Sequence, residues 1–171
     1  GRCEMDSAAH SANRIGGNMA KIKKSTYVLW RGPSMYDGKP IRVVVSNLKT
    51  KTANEKIGNM AQIWILPDSR DKLTDIMARG DDVSYCGKCP LRWFLARQRK
   101  KAGEQDKGKC YVTWVYAPNN VHRSTHDKPT EWEEGLQAIR DVDRDMRVGA
   151  AGDMGAVPPK ETKEIYEAIN G

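Results

Sequence analysis

Three short runs rich in β-branched and aromatic residues, all in the first part of the chain, constrain the fold more than any other feature. Thr26–Arg31 and Ile41–Leu48 are separated by Gly32-Pro33, Asp37-Gly38 and Pro40, which predicts two strands joined by a turn-rich loop. Met60–Leu66 predicts a third strand, closed by Pro67, because proline cannot donate to a sheet ladder. Between the second and third runs, Lys49–Asn59 reads as a polar loop with Lys49, Lys51 and Lys56.

Beyond Pro67 the pattern alternates. Ser69 is placed to cap a short helix carrying Leu73, Ile76 and Met77 and ending at Gly80. Asp81–Pro90 reads as a turn and Leu91–Lys101 as a basic helix. Tyr111–Tyr116 predicts a strand, broken by Pro118. Thr130-Glu131-Trp132-Glu133 matches a capping box and predicts a helix to about Asp141. Met146–Ala150 predicts a strand, and Lys160–Asn170 a last helix behind Pro158-Pro159, with Ile165, Tyr166 and Ile169 on one face. The expected class is therefore α/β: a β-rich N-terminal part followed by alternating α and β, as an open sheet or an incomplete barrel. No internal repeat interrupts it.

A length of 171 residues suits one domain with a real core. At 39% hydrophobic and 30% charged the chain is no disordered polymer, and no apolar run reaches the roughly 20 residues of a membrane helix. Residues 1–18 lack periodicity and lack the apolar stretch of a secretory signal. Met19-Ala20-Lys21 reads as a natural start, and Ile15-Gly16-Gly17-Asn18 is compatible with a purine-rich ribosome-binding stretch. The expectation is that residues 1–18 are a leader, a cloning scar or a disordered tail, which removes Cys3 and His10 as ligands. Residues 19–171 then form one domain, complete or truncated behind the last helix.

The chemistry is sought in the cysteines. Cys86-Gly87-Lys88-Cys89-Pro90 is a C-x2-C knuckle, and Cys110 follows after 20 intervening residues. Such a turn offers two thiolates to one metal, with glycine permitting the tight backbone. Three thiolates suit zinc with a fourth ligand, or an iron–sulfur cluster with one iron differently held. His122 and His126 are the main candidates for that fourth ligand, with Asp82 behind them. Four residues apart, the histidines would share a face of a helical turn. A thioredoxin-type redox site competes through Tyr85-Cys86-Gly87-Lys88-Cys89, but Pro90 alters the start of the helix and no strand–helix–strand unit precedes it.

The net charge of +7, from 29 Lys and Arg against 22 Asp and Glu, is local. Between Lys88 and Lys109 stand Lys88, Arg92, Arg97, Arg99, Lys100, Lys101, Lys107 and Lys109 against only Glu104 and Asp106. Trp93 and Phe94 interleave with them, so this loop between the second and third cysteines is a candidate surface for the phosphates and exposed bases of DNA or RNA. The alternative is a solvated helix with Trp93 and Phe94 turned inward.

Arg147–Pro158 reads as a strand, a small-residue turn and a helix start. Gly149 and Gly152 would let backbone approach a ligand, and Asp153 lies where α/β folds place reactive groups, at the carboxyl end of a strand. Asp153 is the one catalytic candidate, and whether the chain is an enzyme stays open. No P-loop, dinucleotide fingerprint, Ser-His-Asp set, HExxH or EF-hand loop is present.

Four blocks carry a resemblance: Thr52–Leu66, Asp82–Arg92 with its Cys86-Gly87-Lys88-Cys89-Pro90, Cys110-Tyr111-Val112, and Arg147–Asp153 with Val157-Pro158. In order and chemistry they resemble an uncharacterised family of bacteriophage and prophage proteins, over most of residues 26–171. The family is distantly similar to phage proteins with radical-SAM-like barrels, in which three cysteines hold a cluster. The spacing here departs from the compact C-x3-C-x2-C of those barrels. The resemblance implies a phage-encoded protein in the bacterial cytoplasm. With the cysteines, the leading expectation is a metal- or iron–sulfur-binding α/β protein; the alternative is a zinc-stabilised nucleic-acid-binding protein using the basic 88–109 loop.

Overall fold

The computed structural model describes residues 22–49, 59–104 and 110–171. The expectations for residues 1–18, for Lys51 and Lys56, and for Lys107 and Lys109 lie outside them. All three expected N-terminal strands form: β1 (Tyr27–Pro33), β2 (Pro40–Ser46) and β3 (Ala61–Pro67), paired antiparallel in sequence order. A fourth strand, β4 (Met146–Ala151), adds parallel to β3. The sheet runs β1-β2-β3-β4 and is open, so of the two expected forms the open sheet is the one built.

Every residue of β3 is buried, and so is all of β2 beyond Pro40. Ile41, Val43, Val45, Ile63 and Ile65 on one face and Val44 and Leu66 on the other are inaccessible to solvent, as expected for strands covered on both faces. The free edge of β1 is closed by the chain itself: Thr130 bridges Val28 in parallel, and the Glu131 amide donates to the Val28 carbonyl at 2.9 Å. Covering an edge in this way removes a template for unwanted strand pairing.

Among the described residues five helices lie between β3 and β4, α1 (Leu73–Ala78), α2 (Val83–Cys86), α3 (Trp93–Lys101), α4 (Ala117–Thr125) and α5 (Trp132–Asp141), and α6 (Pro159–Asn170) follows β4. Four local expectations are corrected. Asp81–Pro90, expected as a turn, winds Val83–Cys86 into the short helix α2. Tyr111–Tyr116 is not a strand; it is irregular and turns into α4 with Pro118 in its first turn. Trp114 is buried there while Tyr111, Val115 and Tyr116 face solvent, which is the burial of one anchor and not of an alternating face. The capping box of α5 does not close, because the Thr130 hydroxyl accepts from Arg31 Nη1 at 2.9 Å. Ser69 does not cap α1 either; its hydroxyl accepts from the Asp71 amide, and Lys72 takes the cap position.

One charged side chain is fully buried in the sheet. Arg42 on β2 donates through all three guanidinium nitrogens: to Thr125 Oγ1 and the His122 carbonyl of α4, to the carbonyl of Pro67 at the end of β3, and to the carboxylate of Asp68 just beyond it. A buried cation survives only when its donors are met this completely, and here the requirement fixes α4 against the sheet.

Candidate functional site

The knuckle is built by α2 and the turn behind it. Asp82, itself buried, receives the Arg92 guanidinium on one carboxylate oxygen and the Phe94 amide on the other, at 2.9 Å. This locks α2 to the first turn of α3 and holds Cys86 and Cys89 between them. Both oxygens of Asp82, the lesser ligand candidate, are thereby engaged in clamping α2 to α3. Gly87 adopts φ +58°, a backbone that residues with a side chain rarely take, and a Cβ there would lie 2.6 Å from the ring of Tyr36.

Tyr36 is the residue that sequence reasoning missed. It sits in the β1–β2 loop, where the Ser34 hydroxyl donates to the Ser84 carbonyl at 2.5 Å and the Ser84 hydroxyl to Asp37 at 2.7 Å. Those bonds fasten the loop to α2 and lay the Tyr36 ring over Gly87. Its hydroxyl donates to Asp153 Oδ2 at 2.5 Å, while Asp153 Oδ1 accepts the Gly155 amide at 3.0 Å. A Cβ at Gly155 would come within 2.4 Å of that same hydroxyl. The only prior signal was an Asp37-Gly38 turn; what selects Tyr36 is a pair of glycines, one from each distant motif.

The small-residue turn therefore joins the cysteine knuckle. The Asp153 amide donates to the carbonyl of Tyr85, the residue before Cys86, at 2.7 Å. Gly152, at φ +82°, passes so close to β3 that a Cβ would meet the Ile65 carbonyl at 2.3 Å. Gly149 also has positive φ, and its carbonyl accepts from the Tyr111 hydroxyl at 3.5 Å. From the other side, Trp114 packs its ring on Tyr85 with centroids 5.2 Å apart, which brings the Cys110–Trp114 segment alongside α2.

Cys86, Cys89 and Cys110 stand outside any disulfide, each partly buried. Burial pushes the Cys86 thiol well up, and the charges of Asp82, Cys110 and Cys89 add to it. Burial raises the Cys110 thiol too, opposed by hydrogen bonds from the Val112 amide and the Trp114 side chain. Burial, then the bond to Asp153, pushes the Tyr36 phenol up, so it stays a proton donor to the carboxylate. Among the described residues no three His, Cys, Asp or Glu side chains are already set to hold one metal ion.

The two histidines are not brought to the cysteines. His122 faces inward from α4, next to Arg42, with both ring nitrogens buried and unpartnered. Burial first, then Arg42 and His126, lower its pKa to about 4, which leaves it neutral. His126 places Nδ1 3.1 Å from Asp127. They are neighbours, as their spacing predicts, but the sheet's arginine and not the knuckle claims that face of α4.

The basic residues divide. Arg92 is turned inward to Asp82, Arg99 donates to the Pro90 carbonyl at 2.8 Å, and Arg97 lies 5.0 Å over the Trp93 ring. Lys88, Arg97, Lys100 and Lys101 are exposed, and no residue of α3 is buried. No described helix is long and apolar enough to cross a membrane. No protein-family model, curated protein or solved structure matches the chain.

Proposed function

We propose that this chain is a metal-binding α/β protein, phage-encoded and working in the bacterial cytoplasm, in which Cys86, Cys89 and Cys110 take up zinc or an iron–sulfur cluster. The observation that carries the reading is the Tyr85–Trp114 contact, which lays the segment that begins at Cys110 alongside the helix that ends at Cys86. Three cysteines outside any disulfide fit a reducing compartment. Metal uptake would draw the three sulfurs closer and displace their protons. The Gly149–Asp153 turn, with Asp153 held by Tyr36, would border whatever ligand the metal faces, and Asp153 would be its reactive carboxylate.

Anaerobic purification with metal analysis and a visible spectrum tests this. Brown protein containing iron and sulfide supports the cluster, and colourless protein with one zinc supports the zinc site. Protein that takes up neither overturns the reading, as does a Cys110→Ser variant that binds metal as the parent does.

A second reading is favoured by α3, which buries none of its residues and exposes Arg97, Lys100 and Lys101. On this reading the metal steadies a protein that binds DNA or RNA through α3 and Lys88. Retention of an oligonucleotide at low salt and its loss in Lys100→Ala/Lys101→Ala supports it; no retention at low salt removes it.

A further inference from the structure

Two tyrosines near the basic loop are more exposed than any other large apolar or aromatic side chain described. Tyr116 is 70% exposed and Tyr111 is 65%, with Val115 between them at 53%. Trp114 is buried in the same segment, so the anchor points inward and the tyrosines outward. Arg147 on the edge strand β4 holds its guanidinium 5.5 Å over the Tyr111 ring. Tyr116 immediately precedes α4, and Asn120, Arg123 and Ser124 recur at helical spacing behind it on the same exposed side. The last three line one open depression. The other side of α4 is fixed by Arg42 through His122 and Thr125, so this face is presented on a rigid element.

Charge decides what fits there. Arg123 on α4 and Arg147 beside Tyr111 are the cations of this face. Between Lys107 and His126 there is no carboxylate at all. An anionic polymer with flat, accessible rings satisfies both halves of such a surface, cations for its phosphates and tyrosines for its bases. Duplex satisfies only the first, because its base faces are already stacked.

We propose that Tyr111, Tyr116 and the outward face of α4 bind single-stranded nucleic acid, the tyrosines stacking on bases while Arg123 and Arg147 meet phosphates. The inference rests on the second reading above for the class of partner only, and names a different surface from α3.

The test is fluorescence anisotropy with the full chain at low salt, using labelled single-stranded DNA and RNA of about twelve nucleotides and a duplex of the same length. The expected result is binding of single strands at least about tenfold tighter than duplex, weakened about tenfold by Tyr111→Ala and by Tyr116→Ala and retained in the Tyr→Phe variants. Arg123→Ala should lower the salt slope by about one, and preference between the DNA and RNA strands identifies the natural source. Equal affinity for duplex, or alanine variants that bind as the parent does, overturns the proposal. If Lys100→Ala/Lys101→Ala abolishes binding and the tyrosine variants do not, the partner class stands and this surface falls. A chain that binds metal and no oligonucleotide overturns it and leaves the cysteine reading intact.

Discussion

Two polar clusters lie against the central strands and are built by opposite means. Around Arg42 the guanidinium is sealed from solvent, and its nitrogens are spent on carbonyls, a hydroxyl and the Asp68 carboxylate. Around Tyr36 the phenol is half exposed and rests on backbone, between a glycine of the knuckle and a glycine of the C-terminal turn. The first cluster consumes its polar groups to fix α4; the second keeps a carboxylate, a phenol and thiols within reach of solvent. That difference explains why the histidines with ligand-like spacing belong to the framework, and why a tyrosine in no motif belongs to the candidate site.

The comparison breaks most visibly at Arg42. Removing it leaves the Pro67 and His122 carbonyls without this donor and Asp68 with Arg31 alone, so Arg42→Ala is expected to cost about 3–5 kcal/mol in urea unfolding. A loss below about 1 kcal/mol would mean that the cluster is wet and the contrast false. His122 comes next. The unfolded chain takes a proton near 6.5, whereas the folded chain refuses it until about 4. The resulting stability is complete above that upper value and falls, by about 3 kcal/mol, as pH drops through the window to 4. His122→Leu should flatten this part of the pH–stability curve, and an unchanged slope would assign it to other groups. The smallest effect sharpens the second cluster. Gly87→Ala should cost about 1–3 kcal/mol through its positive φ and the overlap with Tyr36. A double-mutant cycle with Tyr36→Ala should recover the overlap share and leave the backbone share; strict additivity would detach the tyrosine from the knuckle.

The sheet was legible because β-branched runs bounded by glycine and proline report a local preference that packing then reinforces, as in Ile41–Ser46 and Ala61–Leu66. Tyr111–Tyr116 has the same composition and no partner strand, so composition misled there. The knuckle was legible because its two cysteines are close through local backbone alone. The fate of His122 was not, because it depends on an arginine 80 residues away. Nor was Asp82 legible as a clamp, since only the folded chain brings Arg92 and the Phe94 amide to its two oxygens.

The hydrogen bond from the Asp153 amide to the Tyr85 carbonyl has a mechanical consequence. That carbonyl belongs to the peptide group that joins Tyr85 to Cys86, and Tyr36 rides on both Gly87 and Asp153. Whatever pulls on the Cys86 sulfur therefore tilts the carboxylate and the phenol together, as arms of one lever whose pivot is the end of α2.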